Sequence, residues 1–91
     1  FFTSLKKLKY LYLSDNQISS IDEGSFSNLT NLLYLYLNNN CIFKLHSGLF
    51  NNLKSLSHLI LSSNELVKLE KNLFNNTINL TMLYLDQNKL K

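Results

Sequence analysis

Three Asn-x-Thr triplets are the residues whose spacing could carry chemistry: Asn28-Leu29-Thr30, Asn75-Asn76-Thr77 and Asn79-Leu80-Thr81. Each asparagine amide is an acceptor for an N-linked glycan if the chain enters a secretory pathway. With 14 Asn and 15 Ser plus Thr in 91 residues, three triplets are no excess over chance, so their placement says more than their number. Other reactive groups are sparse. Cys41 is the single cysteine, which rules out a disulfide within the chain. His46 and His58 do not stand at metal-ligand spacing from Cys41 or from each other. Gly24 and Gly48 are the only glycines, and their matching positions read as backbone turns rather than a phosphate cradle. Nothing in the pattern resembles a nucleophile served by a base or a paired-carboxylate site. These residues point to no enzyme activity, no metal and no cofactor.

The elements that must position these groups follow from a repeat. Shifted by 24 residues, the sequence overlays itself from Phe2 to Leu90 without an insertion. Leu8, Leu32, Leu56 and Leu80 form one column, Leu11, Leu35, Leu59 and Leu83 the next, and Leu13, Leu37, Leu61 and Leu85 a third. Asn16, Asn40, Asn64 and Asn88 follow, then Ile18, Ile42, Leu66 and Leu90. Further columns hold Ile21, Leu45 and Leu69; Phe2, Phe26, Phe50 and Phe74; and Leu5, Leu29 and Leu53. Thr77 breaks the last of these, with Ile78 beside it as the expected compensating core residue. Within each unit, outward and inward residues alternate as in Tyr10-Leu11-Tyr12-Leu13-Ser14, the period of a short strand.

Each unit reads L-x-x-L-x-L-x-x-N-x-[IL], which resembles the leucine-rich repeat family over the whole chain. The unit length and the late Phe resemble its "typical" subclass, found in extracellular members such as Toll-like receptors, Slit-like proteins and small leucine-rich proteoglycans. The resemblance implies an α/β, right-handed leucine-rich repeat solenoid of about four coils with a parallel concave β-sheet. It also implies that the Asn column bonds the backbone of the turn as a ladder between coils, and that the Phe column stacks inside the convex side. Residues 1–91 form one segment, with repeats at 8–31, 32–55 and 56–79 and partial repeats at 1–7 and 80–91. Neither end has the polar outer face of a terminal coil, so the chain reads as an uncapped fragment with possible flanking repeats and caps.

Four columns of the strand motif face outward on the concave side. They hold Tyr10, Tyr34, His58 and Met82; Tyr12, Tyr36, Ile60 and Tyr84; Ser14, Asn38, Ser62 and Asp86; and Asp15, Asn39, Ser63 and Gln87. All five tyrosines lie there. Two readings of them stand. Tyrosine supplies stiff, amphipathic contact area at recognition sites, and it is also a β-former suited to an exposed pleated face. As binding residues the concave face offers Tyr10, Tyr12, Tyr34, Tyr36, His58, Ile60, Met82, Tyr84, Asn38 and Asp86, with a protein as ligand. The glycan candidates Asn28, Asn75 and Asn79 fall late in the repeat, away from this face.

Composition narrows the partner. Net charge is +3 and all nine basic residues are lysines, dispersed among columns, which is not a nucleic-acid footprint. The longest apolar run, Leu32–Leu37, has six residues, against about 20 for a membrane span. The function read from the sequence is protein recognition within an extracellular or cell-surface receptor, adhesion or matrix protein. The alternatives are a cytoplasmic scaffold or adaptor, and the recognition segment of an enzyme whose catalytic domain lies outside this chain.

Overall fold

The computed structural model describes residues 3–91. A short 3-10 helix, Thr3–Lys7, precedes four strands: β1 (Tyr10–Tyr12), β2 (Tyr34–Tyr36), β3 (His58–Ile60) and β4 (Met82–Tyr84). They form one open parallel sheet in the order β1-β2-β3-β4. The register pairs residues one repeat apart: Leu11 with Leu35, Leu35 with Leu59, and Leu59 with Leu83. This is the expected solenoid, with principal extents of 36 × 26 × 21 Å. Among the described residues the segments returning from strand to strand are turns, not α-helices.

Parallel pairing follows from the repeat itself. Each coil places the same backbone donors and acceptors beside the next, and the pairing runs past the three-residue strands. Leu13, Leu37 and Leu61 each donate an N–H to the following coil, to Tyr36 O, Ile60 O and Tyr84 O at 2.8 Å. Ile18 O, Ile42 O and Leu66 O accept from Cys41, Glu65 and Lys89 on the way back, also at 2.8 Å.

The leucine columns fill the interior. Leu32, Leu35, Leu37, Leu56, Leu59 and Leu61 are fully buried in the two middle coils, while their counterparts in the outer coils are half-buried. Phe26, Phe50 and Phe74 stack with ring planes 6° and 8° apart and centroids 6.4 and 6.0 Å apart. Phe2, assigned to the same column, lies outside the described residues. Leu49 and Leu73 are also buried and form a core column that the sequence analysis does not assign.

Between strand and return, the asparagine column makes the turn. Asn64 donates through Nδ2 to Leu61 O and Leu37 O at 3.0 Å and to Ser62 O at 3.3 Å. Its Oδ1 accepts Ile42 N–H at 3.0 Å. Asn40 and Asn88 repeat the same set one coil away on either side. Asn16 donates only within its own coil, to Leu13 O and Ser14 O. The residue before each of these asparagines is left-handed: φ is 59° at Asp15, 57° at Asn39 and Ser63, and 61° at Gln87. Left-handed backbone favours Asn and Asp and penalises bulkier side chains.

Thr77 corrects an expectation. Ile78 does not replace the missing core leucine; it is 76% exposed, and Thr77 itself occupies the slot at 5%. The backbone has not shifted, since Leu80 donates to Thr77 O at 3.2 Å as Leu56 does to Leu53 O at 3.3 Å. Threonine is admissible there because its hydroxyl donates to Phe74 O at 2.9 Å, leaving no buried polar group unpaired.

Two stability outcomes follow. Asn64→Ala leaves the buried Leu37 carbonyl and Ile42 N–H without this partner and is expected to cost about 3 kcal/mol, whereas Asn16→Ala, exposed and bonded locally, costs under about 1 kcal/mol. Thr77→Val removes a buried hydroxyl whose acceptor keeps the Thr77 N–H at 3.3 Å, and is expected to add about 0.5–1 kcal/mol. Denaturant titrations of the three variants against the parent sequence measure both.

Candidate functional site

The alternation of each strand sends leucine inward and the neighbours on either side outward. Tyr10, Tyr34, His58 and Met82 stand in register on the concave face, as do Tyr12, Tyr36, Ile60 and Tyr84. The structure therefore brings all the sequence-assigned strand residues together on one surface. It does not leave them equally accessible. Tyr10, Tyr12 and Tyr84 are exposed, while Tyr34, Tyr36, His58 and Met82 are partly covered. Ile60 is only 8% exposed and forms the floor between its register partners Tyr36 and Tyr84.

Four tyrosines form a connected array. Tyr10 meets Tyr34 edge-on with centroids 4.9 Å apart, and Tyr12 meets Tyr36 at 4.7 Å with planes 87° apart. Tyr34 and Tyr36 lie stacked at 6.4 Å along β2. Such pairs contribute about 0.5–1.5 kcal/mol each beyond area burial and restrict the rings. The His58 imidazole extends the array, 4.3 Å from the Tyr34 ring, with the Ser57 hydroxyl 2.8 Å from its Nδ1. Desolvation beside the neighbouring rings raises the Tyr12 phenol above its ordinary value, and repulsion from Tyr36, Tyr10 and Tyr34 adds to it. At 59% exposure solvent screens both effects. The array is a surface of rings and hydroxyl groups.

A polar margin runs beside the rings. Ser14 donates to Asn38 Oδ1 at 2.6 Å, and Ser62 donates to Asp86 Oδ1 at 2.5 Å. These hydroxyls tie neighbouring coils in pairs. The adjacent column, Asp15, Asn39, Ser63 and Gln87, is the left-handed one, so its residue types answer to backbone conformation as well as to contact. Sequence reasoning placed this column outward and missed its conformational role; the Asp15 and Asn39 residue types carried the signal.

The glycan candidates lie apart from the strand face. Asn28 is exposed, its amide has no hydrogen-bond partner among the described residues, and Thr30 is exposed. Asn75 is exposed but its triplet ends on the buried Thr77. Asn79 donates its amide to Lys54 O at 2.9 Å. Cys41 is exposed. On the outer side, His46 Nδ1 lies 3.3 Å from Glu23 Oε1. Gly24 and Gly48 lie in turns, as expected, yet neither uses positive φ; the residue in their column that does is Asn72, at 68°. Among the described residues no group of three or more His, Cys, Asp or Glu could hold a metal ion, and no helix is long and apolar enough to cross a membrane.

Comparison with known proteins agrees with the geometry. A family model described as "Leucine rich repeat" matches residues 1–42 and 35–90. Two solved structures superpose on 91% of the chain. The APL1 leucine-rich repeat domain does so with a TM-score of 0.89 and 35% identity, and the TLR13–ssRNA13 complex with 0.87 and 43%. The chain spans 22% of the first and 12% of the second. No curated protein matches its sequence.

Of the three glycan candidates, Asn28 is expected to carry the highest occupancy when the chain is expressed through a secretory pathway. Thr77→Val is expected to abolish modification of Asn75 without changing Asn28. Peptide mass spectrometry before and after enzymatic deglycosylation reads both.

Proposed function

This chain belongs to the leucine-rich repeat family, and from that premise we propose that it is a protein-binding module of an extracellular or cell-surface receptor, adhesion or matrix protein. The observation that carries the reading is the concave array of Tyr10, Tyr12, Tyr34 and Tyr36, immobilised by edge-to-face and stacked contacts and bordered by the Ser14–Asn38 hydrogen bond. Rings already held in place lose little freedom on binding, so their contact area converts into affinity at low entropic cost. An apolar, aromatic centre with a hydrogen-bonding rim is the anatomy of a protein interface.

The structure of TLR13 is a complex with a single-stranded RNA. In this chain no lysine occupies an outward position of the four strands, and the concave columns carry Asp15 and Asp86. Binding a polyanion draws its affinity from cationic side chains set against phosphates, and this face lacks them. A protein ligand is the better fit. Placement outside the cell is supported by the likeness to the Toll-like receptor repeat domain and by the exposed, unengaged Asn28 triplet.

Photo-cross-linking tests the surface. A benzophenone side chain at Tyr34 is expected to capture a protein partner, while one at Lys54 on the convex side is not. Tyr12→Ala and Tyr36→Ala are each expected to weaken the captured complex by more than about 1 kcal/mol, roughly fivefold. Unchanged affinity in both variants would move the contact off this face. A glycan on Asn28 in the native protein would support the extracellular placement; full peptide coverage without modification would favour the cytoplasmic scaffold.

A further inference from the structure

Where the chain leaves the asparagine turn, buried and exposed positions follow the repeat again. Ile42 and Leu45 are buried, and Phe43 and Lys44 between them are exposed. One repeat later Leu66 is buried, and Val67 and Lys68 are exposed. The backbone ties the two segments together, since Glu65 N–H donates to Ile42 O at 2.8 Å. Phe43 and Val67 therefore stand side by side on the flank of the solenoid, outside the strands.

Their exposure is a property of the interior of the array. The column reads Ser19, Phe43, Val67 and Lys91, so each of the two has a described neighbour on either side. Phe43 is nonetheless 54% exposed and Val67 49%. The coil itself does not need an apolar side chain at this position. Ser19 fills it one repeat earlier, and its carbonyl accepts the Phe43 N–H at 3.4 Å. Adjacent apolar groups that the fold does not use mark a surface for contact.

A groove of about 230 Å³ runs between the two coils there, lined by Phe43, Lys44, Leu45, Val67, Lys68 and Glu70. Small-molecule sites span about 300–1,000 Å³, so this one suits a side chain presented by a macromolecule. Its edge is cationic, because Lys44 and Lys68 share the next column. Among the described residues the ion pairs are His46–Glu23, Lys68–Glu70 and Lys89–Glu65. Lys44 belongs to none of them. Two lysines against one glutamate leave the groove with an excess of positive charge, which attracts an anion.

We propose that the groove between Phe43 and Val67 docks a segment of a partner protein in which an apolar side chain is followed by a carboxylate. The apolar side chain packs between Phe43 and Val67, and the carboxylate pairs with Lys44. The apolar walls exclude water from the contact, which strengthens the ion pair over one in open solvent. A polyanion without apolar groups leaves Phe43 and Val67 in water, and an uncharged apolar segment leaves Lys44 unpaired. The site shares no residue with the concave array, and the inference does not depend on that reading.

The test is an NMR titration of the protein with three capped peptides, acetyl-Ser-Leu-Phe-Glu-amide, acetyl-Ser-Leu-Phe-Gln-amide and acetyl-Ser-Ala-Ala-Glu-amide. The first is expected to give saturable shifts at Phe43 and Val67. The glutamine peptide is expected to bind about threefold more weakly, and the alanine peptide about tenfold more weakly. Lys44→Gln is expected to bring the first peptide down to the level of the glutamine peptide. Phe43→Ser is expected to weaken it about fivefold, and Lys54→Gln to leave it unchanged. Phe43→Ser keeps the fold because Ser19 already occupies that column, which unchanged Asn40 and Asn64 side-chain amide signals verify. Equal binding of the three peptides, binding undiminished in Lys44→Gln or Phe43→Ser, or no saturable shift at Phe43 and Val67 would overturn the proposal. Shifts at these two residues that grow with protein concentration alone would overturn it too, by making a second copy of the chain the occupant.

Discussion

Each coil needs to reverse direction where a strand ends, and the reversal leaves backbone donors and acceptors facing the interior. One side chain per coil satisfies them. The amide of Asn64 serves Leu37, Ser62 and Leu61 carbonyls and the Ile42 N–H at once, joining two adjacent coils. No apolar residue could do this, because buried polar groups without partners cost about 1–3 kcal/mol each. No charged residue could do it cheaply either, because the site is buried. A residue that both donates and accepts, short enough to stay within the turn, is what the position admits, and it recurs at every coil described.

Much else follows from that constraint. The asparagine reaches the backbone only if the residue before it turns left-handed, which Asp15, Asn39, Ser63 and Gln87 all do. With the turn fixed, the next coil stacks in register, and the leucine columns close over one another. The two faces of the strand then separate in their demands. Inward positions answer to packing and repeat almost unchanged. Outward positions of the strands are not held to one residue type by the interior, so Tyr10, Tyr34, His58 and Met82 share one register. That freedom is where recognition can be written.

The fold was legible in the sequence because a buried column restricts residue type, and repetition reveals the restriction four times. The asparagine and phenylalanine columns were legible for the same reason. Where the restriction is weaker, the sequence said less. Thr77 breaks the leucine column, and the neighbouring Ile78 suggested a compensating core residue; the decisive factor was the Phe74 carbonyl within reach of a hydroxyl, which no pattern displays. Leu49 and Leu73 escaped because their counterpart in the first full coil is Ser25, so the column looked polar. On the concave face the residues were found and their unequal exposure was not. Ile60 shares a register with Tyr36 and Tyr84, and only the size of those flanking rings makes it a floor.

The tyrosine array shows why residue type alone left two readings open. A β-former chosen for an exposed strand and a residue chosen for contact are the same residue. The structure adds their arrangement. Tyr10 against Tyr34 and Tyr12 against Tyr36 are both edge-on, and Tyr34 lies stacked on Tyr36, so four rings restrict one another across two coils. Cross-strand aromatic pairs of this kind also stabilise the sheet that carries them. Here each ring is positioned by the next, and the backbone beneath them is fixed by the asparagine ladder. The rigidity of the turn on one side of the strand thereby becomes pre-organisation of the surface on the other.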